Sequence, residues 1–557
     1  MARCRKWTEI CLWILGILIV LTAGTVLWGW YLYGTADLGE PAYTAAAGDA
    51  VQENDSLRRW KTDALRLNSD GLYEMRVSGS AFERGESMGK LGKELLYSQE
   101  KAFTDKIFEL VPDRRYVRFL HGFITVFNRR LGASVPLEYR QELKAMSESC
   151  THEFDEFGSP YERQMQYHAA HDIGHVMQDY MLVACTSFAA WGKESADSAL
   201  ILARNFDFYM GDEFSRNKLV LFEKPDSGYA YVSVTWPGMT GVLSGMNTKG
   251  LTVTINAAKF ETPRMSATPI SMLAKRILQY ASNLEEAWKI AGEYRTFVSE
   301  SIMVGSAEDG RAAIIEKTPS DMALFDPGKS GSAVSHIICT NHYQSDKFRD
   351  VPVNVENVRE SDSGYRFRRV EECLDSAGPL DPCGAAAILR DMRGVGGEDV
   401  GYCNELSINQ MIAMHSVIFR PSERKIWVST SPWQLGRFVC YSLDDVLDSD
   451  FSGRVDSENE AVPEDACLHD ESFVNVLGFR KMLAEIRKAA RTGRPVPQDS
   501  LDMFISCNPS FYGTYEAVSD YLESAGRTSE VDAYRKKALS CAMKLSERKR
   551  LEHLANH

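Results

Sequence analysis

Hydrophobic positions change their spacing several times along this chain of 557 residues, and each change predicts a different kind of element. From Ile10 to Tyr33 the sequence is almost uniformly apolar and carries no charge. Such a run is long enough to cross ~30 Å of hydrocarbon as one helix. Arg3, Arg5 and Lys6 precede it, and Trp28, Trp30, Tyr31 and Tyr33 crowd its far end, where aromatic rings favour the membrane interface. The pattern predicts a transmembrane signal anchor over residues 1–34, a localisation on the membrane, and the bulk of the protein on the extracytoplasmic (periplasmic or extracellular) side. A cleaved signal peptide is the alternative, with Ala45-Ala46-Ala47 as its cut site. The apolar run is longer than a signal core, however, and those alanines lie far beyond it. Residues 35–70, rich in Ala, Gly, Asp and Glu, predict a stalk.

Past Gly71 a short strand is expected at Leu72 to Val77, and a mainly helical pattern then runs to about Tyr180. Within it Glu83-Arg84-Gly85 and Gly89-Lys90-Leu91-Gly92-Lys93 suggest a phosphate-binding loop only superficially. Their glycine spacing is wrong and neither Lys is followed by Ser or Thr; those glycines are expected to let a helix and a strand approach closely. From Leu182 to about Leu443 period-two segments predict strands at Leu200 to Ala203, Leu219 to Phe222, Tyr229 to Val234, Leu251 to Ile255, Ala312 to Glu316 and His415 to Phe419. Helices at Ile270 to Ala281 and Leu284 to Tyr294 interrupt them, the second capped by Asn283. Mixed elements in this order predict an α+β arrangement of two layered sheets covered by helices. The tail, 456–557, is acidic and then helical, at Phe473 to Ala490, Tyr512 to Ser524 and Ser529 to Ser546. The expected organisation is thus 1–34, 35–70, 71–184, 185–455 and 456–557.

Hydrophobic content of 44% and aromatic content of 10% supply an ample core. The formal charge of −14 argues against nucleic acid as a partner. The twelve cysteines are scattered without a C-x-x-C pair. Setting aside Cys4, Cys11 and Cys185 leaves an odd number, so a closed disulfide framework is not expected. His168, His171 and His175 share one helical face, with Asp172 between them, and that geometry could hold zinc. No matched Cys or carboxylate position accompanies them, so packing near the site is the expected role and no metal or other cofactor is required.

The chemistry points to Ala184-Cys185-Thr186-Ser187-Phe188, followed by a strand and Arg204-Asn205-Phe206-Asp207. A lone cysteine in an apolar strand is usually core. Here a small residue precedes it, hydroxyls follow it, and an Arg and an Asp return three residues apart. Arg204 could supply the field a thiolate needs. If Cys185 became a chain terminus, Asp207 is the right group to hold its α-amine. That amine, with a pKa of about 7.7–8.0 when free, could serve as base without a histidine.

These residues resemble the start of mature chains in the N-terminal-nucleophile hydrolases. More specifically they resemble the acyl-coenzyme A:6-aminopenicillanic-acid acyltransferase branch, related to choloylglycine hydrolases and penicillin V acylases. Gly245 to Asn256, Thr340-Asn341-His342, Tyr365 to Arg369 and His415-Ser416-Val417 extend the likeness across roughly Gly71 to Leu443. The resemblance implies a four-layer αββα core, autocleavage between Ala184 and Cys185, and Cys185 as nucleophile with its own amine as base. It implies Arg204 beside the thiol, Asp207 holding the amine, Asn256 and Asn341 in the oxyanion hole, and Arg366 polarising the network. Two features depart from the pattern. Ala184 stands where that branch often has glycine, and the leader is long, which implies two chains that stay packed together after maturation.

The expected activity is cleavage of a linear amide in an N-acylated compound through a thioester on Cys185, with water or an amine as acceptor. Partners would be a small acylated amine or amino acid and the membrane; assembly with further copies of the chain stays open. Two alternatives remain: a non-catalytic binding protein of the same fold, and a protease pairing Cys185 with His415.

Overall fold

The computed structural model describes residues 2–176, 182–262, 265–329 and 332–555. Strands β1 (Val51–Asn54), β2 (Leu57–Trp60), β3 (Asp63–Leu67) and β4 (Tyr73–Gly79) come first. They are followed by β5 (Leu182–Ala190), β6 (Ile201–Tyr209), β7 (Leu219–Pro225), β8 (Tyr231–Thr235), β9 (Ser244–Asn247) and β10 (Leu251–Ala257). The remainder are β11 (Glu300–Ser306), β12 (Arg311–Lys317), β13 (Met322–Phe325), β14 (His336–Cys339), β15 (Ala413–Arg420), β16 (Lys425–Ser429) and β17 (Phe438–Ser442). One sheet has the order β1-β2-β3-β4-β7-β8-β9-β10-β11-β12-β13 and the other β14-β5-β6-β15-β16-β17.

Alternation of side chains along each strand assigns the layers. In the larger sheet Val220, Phe222, Val232, Val234, Met303 and Ile314 meet Leu202, Val417, Val428 and Val439 of the smaller one in a shared core. Their neighbours Leu219, Leu221, Val253, Ile302 and Ile315 face outward onto the helices Ala81–Leu91, Leu137–Ser147 and Ile270–Tyr280. On the smaller sheet Ile201, Ala203, Ile418 and Trp427 face the helices Ser363–Ala377 and Pro382–Leu389. The result is helix, sheet, sheet, helix. The strands and helices expected between Leu200 and Phe419 are present, including the Asn283 cap, which accepts from the Glu286 amide at 3.0 Å.

The leader differs from its expected form. Residues 35–70 do not form a simple stalk, because β1–β3 lie there and dock on the larger sheet. Leu57, Trp60, Ala64 and Leu65 are buried, and Asp63 accepts hydrogen bonds from the hydroxyls of Ser78 and Ser87. The charged residues between those apolar positions masked the strand pattern. The glycines of helix Ala81–Leu91 serve another helix rather than a strand. A Cβ on Gly85 would collide with the Glu142 carbonyl, and one on Gly89 would lie 2.8 Å from the Met146 carbonyl.

A strand pairing and a buried ion cluster are among the contacts that tie the leader to the rest. β4 pairs in parallel with β7, Tyr73 opposite Leu219 through Gly79 opposite Pro225. Beneath that seam Arg84 and Glu142 of the leader meet Glu223 and Lys275 in a buried ion cluster. Arg84 bonds Glu142 at 2.8 Å and Glu223 at 3.3 Å; Lys275 bonds Glu142 and donates to the Thr240 carbonyl at 3.0 Å. Removing one member of such a group leaves an uncompensated buried charge. Lys275→Met is therefore expected to lower unfolding stability by about 3–5 kcal/mol in urea titration. A change below ~1 kcal/mol would show that the cluster does not hold the seam.

The tail helices form their own core around Phe479, Phe504, Val518 and Leu522. They dock through Arg480 to the Met411 carbonyl at 2.7 Å and through Tyr512 to Glu405 at 2.9 Å. The N-terminal stretch forms the helix Ala2–Gly34, with Val20, Leu21, Leu27, Trp28 and Trp30 exposed. Among the described residues, no helix is long and apolar enough to cross a membrane, so the expected span has no support from the fold.

Candidate active site

Cys185 lies in β5, beside β6 and at the same level as residues of β15. Cross-strand register places Cys185 opposite Phe206, and Phe206 opposite His415. Phe206 thus stands between the cysteine and the histidine. Two strand spacings put Cys185 and His415 backbones roughly 10 Å apart. The His415 ring bonds Ser244 Oγ through Nε2 at 2.8 Å. A Cys185–His415 pair therefore has no direct contact in this fold.

Arg204 shares the thiol's face of the sheet. Its Nη2 donates to Cys185 Sγ at 3.4 Å and to the Ile255 carbonyl. Nη1 donates to the Leu243 carbonyl at 2.7 Å and to Ser244 Oγ at 2.5 Å. The guanidinium also lies over the Phe206 ring, 4.4 Å from its centroid. Burial pushes the Cys185 thiol up, while Arg204 pulls it down. In the intact chain burial wins.

Asp207 occupies the opposite face, because alternation along β6 reverses it relative to Arg204 and Phe206. Its neighbour across the ladder is Ala184. The carboxylate is fully buried, and neither oxygen has a hydrogen-bond partner among the described residues. Burial raises it to about 7, although Arg366 and Arg204 oppose the shift. A buried carboxylate without a donor is costly, so this position calls for a hydrogen-bond donor that the described residues do not supply.

The backbone nitrogen of Cys185 lies within the sheet, where both faces can reach it, and donates to Asn341 Oδ1 at 3.1 Å. Arg366 anchors the same group. Its Nη2 donates to Asn341 Oδ1 at 2.7 Å, and its Nη1 to the Cys185 carbonyl at 2.7 Å and Thr186 Oγ1 at 2.8 Å. Asp362 holds Arg366 Nε at 2.9 Å. Of the neighbouring arginines in this helix, Arg366 is the buried one that touches Cys185, and Arg369 pairs with Asp391 at 2.6 Å.

The two asparagines differ. Asn341 Nδ2 gives one hydrogen to the Ala257 carbonyl at 2.8 Å and retains a second. Asn256 Nδ2 donates to the carbonyls of Cys339 and Thr340, and its Oδ1 accepts from Ser187. Asn256 therefore clamps β10 to the β5–β14 edge, with both amide hydrogens engaged.

His168 is buried; Nδ1 meets the Gln164 carbonyl at 2.8 Å and Nε2 accepts from the Thr240 amide at 3.0 Å. Burial lowers its pKa to about 4. The side chains of His171 and His175 lie outside the described residues. No group of three or more His, Cys, Asp or Glu among the described residues could hold a metal ion. Among the described residues ten cysteines, Cys185 included, are free thiols.

Sequence reasoning missed Ser244 and Asp362. Ser244 lies beside the quoted Gly245 stretch, but a serine there carries no signal until β9 is placed next to Arg204.

Residues 193–431 match the family model of acyl-coenzyme A:6-aminopenicillanic acid acyl-transferase. The match includes Arg204, Asp207, Asn256, Asn341, Arg366 and His415, and begins eight residues after Cys185. An uncharacterized protein of Archaeoglobus fulgidus is 24% identical over 277 residues, 46% of this chain and 45% of the relative. The chain thus spans less than half the length of that curated relative. Among solved structures, a Caenorhabditis elegans ortholog of N-acylethanolamine-hydrolyzing acid amidase gives a TM-score of 0.32 at 16% identity, covering 43% of this chain and 93% of that one. A variant of conjugated bile acid hydrolase from Clostridium perfringens gives 0.31 at 11%, covering 49% and 96%. Penicillin V acylase from Agrobacterium tumefaciens gives 0.28 at 14%, covering 44% and 83%.

Proposed function

We propose that the chain is a self-processing cysteine amidohydrolase or acyltransferase that acts on the carbon–nitrogen bond of N-acylated compounds. The observation that carries this reading is the buried, unpartnered Asp207 carboxylate across the ladder from Ala184, beside a Cys185 nitrogen already held by Asn341. A free α-amine at Cys185 would satisfy it, as a hydrogen-bond donor when neutral and as a cation once it has taken the thiol proton. The acyl-transferase family segment supplies the reaction class.

In maturation, Cys185 Sγ adds to the Ala184 carbonyl and the acyl group passes from nitrogen to sulfur. Water then hydrolyses the thioester, leaving the Ala184 carboxylate and the free amine. In turnover that amine, held by Asp207 and Asn341 Oδ1, takes the thiol proton. The thiolate, beside Arg204, attacks the substrate carbonyl, and the uncommitted hydrogen of Asn341 Nδ2 is the side-chain donor for the resulting oxyanion. The amine returns the proton to the leaving nitrogen, and water or a second amine takes the acyl group from sulfur. Asn256 would act by holding the strands that frame this point.

The leader would remain bound after the cut, since it supplies four strands of the larger sheet. The membrane anchor rests on the apolar run Ile10 to Tyr33 and its exposed aromatic end; sodium carbonate extraction of membranes from expressing cells tests it. The functional test is intact-mass analysis of purified protein during incubation with a panel of N-acyl amides. A fragment beginning at Cys185 that gains the mass of one acyl group is the expected result. An uncleaved chain that binds the amides without acylation would favour the non-catalytic reading.

A further inference from the structure

The thiol's arginine is itself held by a second tier of buried groups. Ser244 Oγ accepts from Arg204 Nη1 at 2.5 Å and lies 2.8 Å from His415 Nε2. Ser244 Oγ, which accepts from Arg204, can give its own proton to an unprotonated Nε2. In that arrangement the ring is neutral with its proton on Nδ1, which has no hydrogen-bond partner among the described residues. The charged groups facing this ring are Arg204 on β6 and Lys218 just before β7, and both disfavour a second ring proton, after burial itself. Lys218 is occupied with Ser429. Phe206 completes the enclosure, with the imidazole on one side at 5.1 Å between centroids and the guanidinium stacked on it. His415, Ser244 and Arg204 are all buried, so no solvent replaces a lost partner.

We propose that His415 is a positioning residue that acts through Ser244 to fix the Arg204 guanidinium against the Cys185 sulfur. The inference rests on Cys185 being the nucleophile. Three Arg204 contacts are donations to fixed carbonyls or to the sulfur, but Ser244 is a rotor. Without an acceptor at Nε2 its hydroxyl has no fixed orientation, and its lone pair is no longer presented to Nη1. Arg204 Nε has no partner among the described residues, so losing the Ser244 acceptor lets the guanidinium turn about its carbonyl contacts and away from Sγ. The field on the thiol weakens as a result, while nothing that contacts the substrate is removed.

The test measures iodoacetamide alkylation of Cys185 against pH in wild type, His415→Leu, His415→Gln, Ser244→Ala and the His415→Leu/Ser244→Ala double variant. Peptide mass identifies the modified cysteine, and thermal melts run in parallel. His415→Leu is expected to shift the alkylation midpoint upward by about one pH unit, or about tenfold slower reaction at neutral pH. His415→Gln, whose amide oxygen can accept from Ser244, is expected to restore most of the loss. The double variant should be no worse than the more affected single one, because both remove the same link. Equal alkylation profiles in wild type and His415→Leu overturn the proposal, as does a glutamine variant no better than leucine, whatever the melts show. A wild-type thiol that titrates no lower than an ordinary free cysteine removes the nucleophile reading first, and the relay falls with it.

Discussion

Cys185→Ala is expected to leave a single chain of 62.5 kDa and no amide turnover above the rate without enzyme. The wild-type chain should divide before Cys185. Both effects come from one atom, because the sulfur that cuts the backbone is also the group that carries the acyl intermediate. The alanine variant should otherwise fold as the parent does, since it removes one buried sulfur from a site that Arg204, Arg366 and Asn341 hold from several strands. Denaturing gels and intact mass read the first effect, and product release from an N-acyl amide reads the second. A Cys185→Ala chain that is still cut at Ala184 would assign the cleavage to another protease and remove self-processing.

Asp207→Asn should divide into two opposite effects. In the cleaved enzyme it removes the carboxylate that holds the amine, and turnover should fall by about 10²–10⁴-fold, the range of a mispositioned general base. In the intact chain it should stabilise. Burial raises the Asp207 pKa to about 7 from its ordinary 3.8, so between those values the folded chain binds a proton that the unfolded chain releases. Stability of the intact form therefore falls as pH rises through that window. In a Cys185→Ala background, Asp207→Asn should abolish that loss, on the order of 2–4 kcal/mol between pH 4 and pH 8 in urea titrations. Parallel stability curves with and without Asp207 would mean that the carboxylate has a donor in the intact chain. The pairing argument for the amine would then lose its basis.

These two expectations show how unevenly the site could be read from the residues. Cys185, Arg204 and Asp207 lie within one hairpin, so their spacing already implies proximity, and the structure adds that Arg204 and Asp207 approach from opposite faces. Asn341 and Arg366 are more than 150 positions away. Only the family likeness pointed to them, and only the packing of helix Ser363–Ala377 against β5 distinguishes Arg366 from Arg368 and Arg369. Asn256 shows the opposite limit: its place in the motif is legible, but the direction of its amide is decided by the Cys339 and Thr340 carbonyls.

By itself the sequence determined the local elements of the core, because a short apolar run such as Leu219 to Phe222 and an alternating one such as Leu251 to Ile255 both fit strands of a layered core. It also determined the chemical candidate, because few contexts set a small residue, a cysteine and a returning Arg–Asp pair on consecutive strands. The tertiary structure decided what those patterns could not contain. It recruited residues 51–79 into the larger sheet, where the parallel β4–β7 pairing is a contact across more than 140 positions that leaves no local period. It placed Phe206 between Cys185 and His415, turning an apparent Cys–His pair into an arginine with two supports. Strand order, unlike strand content, is a matter of which faces find one another, and that is settled only when the chain has closed.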